Sequence, residues 1–108
     1  MAFQKVATLD DLWSGETLGL VVASRRVLLV NLDGTIYAYE DKCAHLGVLL
    51  SQGRLQGTIL TCRAHHWEYD LRTGKGCNPT TASLRAFAVR VELGNILVDV
   101  EQPLARKT

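Results

Sequence analysis

The sequence predicts an all-β fold, and three observations predict it. No window sustains the three-to-four-residue apolar repeat of an amphipathic helix. Short segments of alternating apolar and polar residues recur instead, roughly nine or ten in all. Turn-forming pairs such as Asp33-Gly34 and Gln56-Gly57 separate them. Strands this short and this closely spaced build small antiparallel sheets or barrels.

Taken in order, Phe3 to Thr8 forms a first, weakly patterned strand. Thr8 to Trp13 reads as a single helical turn, with Thr8 or Asp10 placed to cap it and Ser14-Gly15 to end it. Trp13 is expected to plug one end of a barrel. From Glu16 the chain alternates, with Leu18, Leu20 and Val22 on one side. Ala23-Ser24-Arg25 turns it, and Arg26 to Leu32 returns with Leu28 and Val30 sharing a face. Asp33-Gly34 is a strong two-residue hairpin signal. Thr35 to Glu40 is rich in strand formers, with Tyr37 and Tyr39 facing one way. Regular structure is expected to break off at Asp41 and resume from Thr58 to Thr61 and from Trp67 to Asp70. Gly74 to Pro79, with two glycines and a proline, reads as an ordered loop. Arg85 to Leu93 then places Phe87, Val89, Val91 and Leu93 on one face. A turn at Gly94-Asn95 returns the chain as Ile96 to Val100, and the tail Pro103 to Thr108 is expected to fray.

At 108 residues the chain is expected to form one domain, residues 1–108, with a small core. An apolar content of 47% and a charged content of 21% are ordinary for a globular protein. No apolar run approaches the roughly 20 residues of a membrane helix. Met1 to Lys5 lacks the apolar segment of a signal peptide, so a cytoplasmic location is expected. The net charge of +1 offers no basic stripe for nucleic acid. Cysteines number three, an odd count that suits a reducing compartment.

Two short runs carry the chemistry: Cys43-Ala44-His45 and Cys62-Arg63-Ala64-His65, separated by sixteen residues. Each pairs a thiol with an imidazole at turn-length spacing, so a curled backbone can aim both at one point. Two such loops face to face offer two sulfurs and two nitrogens. A single zinc accepts that set. So does a [2Fe–2S] cluster with both cysteines on one iron and both histidines on the other. Familiar zinc modules keep like ligands together, whereas here the mixed pair repeats.

The run Cys43-Ala44-His45-Leu46-Gly47, then Cys62 to His65, then Trp67 to Asp70 and Thr73-Gly74, resembles the Rieske iron–sulfur family. The resemblance implies a cluster-binding subdomain, about residues 43–79, inserted into an outer sheet formed by both ends of the chain. It implies one [2Fe–2S] cluster, with Cys43 and Cys62 on the inner iron and His45 and His65 on the outer iron. Neutral imidazole ligands raise the potential above that of an all-cysteine cluster. High-potential relatives carry an extra cysteine in each ligand loop, where this chain has Val48 and Ala64, and a serine where it has Trp67. The low end of the Rieske range, which runs from about −150 to +300 mV, is therefore expected. Tyr69 matches the tyrosine that bonds a ligand sulfur in the family and would raise the value somewhat. His66 is expected to be exposed, Trp67 to pack on the cluster subdomain, and Cys77 to be a small loop residue outside the ligand set.

So short a Rieske domain has no room for a substrate pocket, and it lacks a nucleophile–base pair. The resemblance is strongest to the ferredoxin components of toluene-type monooxygenases, which are not catalytic alone. That implies an electron carrier between an NADH-dependent flavin reductase and a di-iron hydroxylase. Docking would be transient, by a monomer, near His45 and His65. A ferredoxin of a ring-hydroxylating dioxygenase, a small Rieske subunit of a nitrite reductase-like assembly, and a zinc-binding interaction module are the alternatives.

Overall fold

The strand Arg25–Leu32 is buried without interruption from Val27 to Leu32, so both of its faces are covered. Val27 and Leu29 point into one core with Leu12, Phe87, Ile96 and Val98. Leu28, Val30 and Leu32 point into a second, with Leu50, Leu60, Cys62, Tyr69 and Leu71. This two-faced strand stands between two sheets. The computed structural model describes residues 3–42, 49–63, 66–78 and 82–103.

Among the described residues ten strands follow in order: β1 (Gln4–Thr8), β2 (Thr17–Val22), β3 (Arg25–Leu32), β4 (Thr35–Glu40), β5 (Arg54–Gln56), β6 (Ile59–Thr61), β7 (Glu68–Asp70), β8 (Lys75–Asn78), β9 (Ala86–Glu92) and β10 (Asn95–Pro103). The larger sheet has the order β1-β10-β9-β4-β3-β2 and curls into a nearly closed barrel. The smaller has the order β5-β6-β7-β8, and its whole sequence falls between β4 and β9. All pairings between strands are antiparallel. The all-β expectation holds, with two 3₁₀ turns, Leu9–Asp11 and Leu50–Gln52, among the described residues.

The hairpins explain the register. Asp33 (φ 54°) and Gly34 (φ 90°) take the paired left-handed geometry that matches strand twist. Asn31 supports that turn: its Oδ1 accepts from Gly34 N–H at 2.8 Å, while its Nδ2 donates to Leu12 O at 3.0 Å. Between β9 and β10 the same geometry falls on Leu93 (φ 52°) and Gly94 (φ 79°). Glycine takes the second central position, so the turn lies one residue earlier than Gly94-Asn95. Leu93 therefore leaves the apolar face of β9 and is fully exposed.

Two further expectations are corrected. Trp13 does not plug the barrel; it is 67% exposed, and its indole N–H donates to Asp10 O at 2.9 Å. Leu12 is the plug, at 0% exposure. The 3₁₀ turn admits one of two adjacent side chains, and the aliphatic one carries no polar atom into the core. Residues Lys75–Asn78, read as loop, form β8, because Gly76 N–H donates to Ala82 O and β7 offers a free edge. Thr8 takes the N-cap position of the helical turn at residues 9–11, one of the two expected, but the carboxylate that closes the turn is Asp11, whose Oδ2 accepts from Thr8 N–H at 3.0 Å and from Thr8 Oγ1 at 3.1 Å.

A hydrogen bond ties the sheets. Tyr39, on β4, donates its hydroxyl to Leu71 O, just after β7, at 2.6 Å. Both residues are buried, so this bond fixes the small sheet against the barrel at an apolar contact.

Candidate metal centre

Cys62 lies one residue beyond β6 and is 0% exposed, packed with Leu50, Leu60, Tyr69 and Leu84. Its N–H donates to Trp67 O at 2.7 Å, which closes the loop between β6 and β7. His66 turns that loop with a φ of 57°, a conformation for which histidine is enriched among residues with a Cβ. It is exposed, as expected beside a ligand run. Trp67 is half-buried against the core that contains Cys62, also as expected. Tyr69 is 0% exposed, so its hydroxyl is not in solvent. Cys77 is an exposed free thiol on β8. Cys43, His45 and His65 lie outside the described residues, as do Leu46, Gly47, Val48, Ala64, Pro79 and the tail beyond Pro103.

What leads into and out of the first ligand run is described, and it is tightly held. Asp41 is 3% exposed; its Oδ1 accepts from Ser51 N–H at 2.8 Å and its Oδ2 from Ser51 Oγ at 2.6 Å. Asp41 precedes Cys43 by two residues, and Ser51 sits in the 3₁₀ turn Leu50–Gln52. One buried carboxylate therefore closes the chain segment that carries the first cysteine and histidine. Such charge-assisted bonds are about twice as strong as neutral ones.

The same turn reaches the second ligand run. Gln52 Oε1 accepts from Arg63 Nη1 at 3.1 Å, and Arg63 follows Cys62. Gly53 packs directly on the Thr61 carbonyl, just before Cys62, so closely that a Cβ would overlap it. On its outer side, a Cβ at Gly19 of β2 would stand 2.5 Å from Ser51 Oγ. Leu50 itself is buried beside Cys62. Residues Leu50 to Gly53 are thus a joint between both ligand segments and the barrel wall. Sequence reading missed this joint. Gly19, Asp41 and the Ser51–Gly53 turn lie ten or more residues from one another in the chain, and none belongs to a ligand motif.

The donor chemistry suits a cluster with a buried sulfur side. Cys62 is 0% exposed among apolar side chains, a setting in which an iron-bound sulfur would be covered from solvent.

The sequence matches the Rieske [2Fe-2S] domain family over residues 2–88. It is 38% identical, over 94% of this chain and 84% of the relative, to the ferredoxin component of the alkene monooxygenase system of Xanthobacter autotrophicus (strain ATCC BAA-1158 / Py2). It is 34% identical to the ferredoxin component of biphenyl 2,3-dioxygenase of Rhodococcus jostii (strain RHA1), over 94% and 95% of the two chains. The fold superposes, with a TM-score of 0.85 and 28% identity, on a chain from the complex of reduced oxygenase and oxidized ferredoxin in carbazole 1,9a-dioxygenase, covering 95% and 97% of the two chains. A lone zinc is not the group this family carries. By fold, by the buried cysteine beyond β6 and by sequence, the chain belongs to the Rieske [2Fe–2S] family and takes one such cluster.

Proposed function

We propose that this protein is a cytoplasmic one-electron carrier, the ferredoxin component of a monooxygenase system. In this reading residues 1–108 act as a single Rieske domain with the cluster on residues 43–79. Cys43 and Cys62 hold one iron, and His45 and His65 hold the other. When bound, the cluster takes up and releases single electrons at a potential set by its mixed ligands. The chain's own contribution is to bury the Cys62 side from water and to hold the two ligand runs together through Asp41, Ser51 and Gly53.

The observation that carries the reading is the 38% identity, over 94% of this chain, to an alkene monooxygenase ferredoxin component. The donor is then an NADH-dependent flavin reductase and the acceptor a di-iron hydroxylase, as in toluene-type systems, with a monomer docking transiently near His45 and His65. A second reading has its own support: the biphenyl 2,3-dioxygenase ferredoxin is 34% identical. One reconstitution decides between them. The holoprotein is supplied with reductase and NADH and offered a di-iron hydroxylase or a Rieske dioxygenase in parallel, with product and NADH use both scored. Coupled product with the hydroxylase alone supports the first reading, and with the dioxygenase alone the second. A colourless protein without acid-labile sulfide refutes both.

A further inference from the structure

Charge is unevenly distributed along this chain. Residues 42–67, which contain both ligand runs, hold Lys42, Arg54 and Arg63 and no aspartate or glutamate, a formal +3. The rest holds nine cations and eleven anions, a formal −2, and the two parts sum to the chain's +1.

The fold sharpens this asymmetry. Arg25 and Arg26 open β3 beside the first ligand segment, where Arg26 O accepts from Asp41 N–H at 3.1 Å. Together with Lys42 they line a groove that also contains Glu40 and Asp41. The Asp41 carboxylate is turned inward onto Ser51, and Glu40 is half-buried. On the other flank, Arg54 and Arg63 line a groove of about 390 Å³ with Gln52, Gln56 and His66, and Cys62 forms part of its wall. No carboxylate is among those lining residues. Arg63 is held over the groove by Gln52. The nearest carboxylate in the small sheet is Glu68, half-buried and paired across from Thr61.

Four of the chain's eleven anions lie at the opposite end of the barrel. Asp10 and Asp11 sit in the first 3₁₀ turn, Asp33 in the β3–β4 turn and Glu92 at the end of β9. Arg90 nearby is paired with Glu92 at 3.3 Å. Arg72 shares a groove with Asp33 there, so the far end is less one-sided in charge than the Cys62 end, where the exposed charges are cationic.

We propose that Arg25, Arg26, Lys42, Arg54 and Arg63 form a basic collar that docks a carboxylate-rich surface of a redox partner protein. That the partner is a redox protein rests on the carrier reading above. Exposed charges of one sign around a site raise encounter rates by about ten- to a thousandfold and set the salt dependence. The collar outweighs the roughly one negative charge that a reduced cluster and its two thiolates add locally.

The test separates the field from the partner. Reduced holoprotein is mixed in a stopped-flow instrument with hexacyanoferrate(III), an anion, or tris(phenanthroline)cobalt(III), a cation, at low and high ionic strength. Each oxidant molecule takes one electron, and the return of the oxidised cluster's visible absorbance is followed. The rate with the anion is expected to fall about tenfold as salt rises, and the rate with the cation to increase. In the double variant Arg54→Gln/Arg63→Gln the anion's salt slope is expected to drop by about half. A flat or inverted slope for the anion overturns the basic collar. Transfer to the oxygenase that accepts its electrons in the reconstitution above should also fall with salt, and salt-independent transfer overturns the acidic-partner assignment. No transfer to either oxygenase at any salt concentration, with both small oxidants behaving as expected, refutes the carrier reading and leaves the basic collar standing.

Discussion

Replacing Asp41 with alanine should release the first ligand segment from the barrel wall. The carboxylate is 3% exposed and accepts two hydrogen bonds from Ser51, at 2.8 Å and 2.6 Å. A hydrogen bond to a charged group contributes about 1.5–3 kcal/mol. Ser51 is half-buried, so water can satisfy part of what the variant leaves open. A loss of about 2–4 kcal/mol is therefore expected, which lowers the melting temperature of a domain this size by roughly 10 °C. The assay is thermal unfolding of the holoprotein by far-UV circular dichroism at one fixed scan rate. The half-life of the visible cluster absorbance in the presence of a chelator is followed alongside. Asp41→Asn keeps the shape, with its oxygen accepting from Ser51 N–H and its amide donating to Ser51 Oγ, and should recover about half of the loss. If Asp41→Ala melts within about 2 °C of the parent and keeps its colour as long, the carboxylate does not close the segment.

Other perturbations give equally definite outcomes. Gly53→Ala should push Thr61 and Cys62 away from the Leu50–Gln52 turn, because a Cβ there overlaps the Thr61 carbonyl; iron per protein after purification should fall while Gly57→Ala, in open space at φ 62°, leaves it unchanged and costs about 1 kcal/mol through backbone strain alone. Leu93→Asn should stabilise by about 0.5–1 kcal/mol in urea unfolding, since Leu93 is fully exposed at a φ of 52° beside Gly94 and asparagine suits that turn. Cys77→Ser should leave the visible spectrum unchanged, because the thiol is exposed on β8; loss of colour would make it a ligand. The Arg72 guanidinium, bonded to Asp70 at 3.1 Å, holds that carboxyl below its ordinary range. A depressed carboxyl contributes stability that is complete above its unfolded value near 3.8 and is lost as pH falls through the folded value. Arg72→Gln should therefore destabilise the protein above that pH and become neutral in stronger acid, as read by urea midpoints across the acid range.

Much of the barrel was legible because its signals are local. Alternation in Leu18, Leu20 and Val22, and glycine at the second position of Asp33-Gly34, depend on neighbours two or three residues away. What covers the two faces of β3 was not legible. An apolar run shows that both faces are covered but not by what, and the cover on one face comes from a sheet formed later in the chain. Trp13 and Leu12 were confused because composition does not decide which of two adjacent apolar side chains a short turn admits. The strand β8 was hidden by Gly76 within it and by the flanking Gly74 and Pro79, since its pairing depends on the free edge of β7. At the site, Cys62 was found by its motif, yet the residues that hold its surroundings were not. Asp41 and Ser51 read individually as loop polar residues, and only their 2.6 Å contact reveals a clamp.

Because β3 is covered on one side by the barrel interior and on the other by the small sheet, neither half has a finished surface of its own. Excising β5 to β8 would leave Leu28, Val30 and Tyr39 bare in water, a greasy stripe that invites self-association. Moving the small sheet onto another scaffold would therefore require carrying this strand along with it.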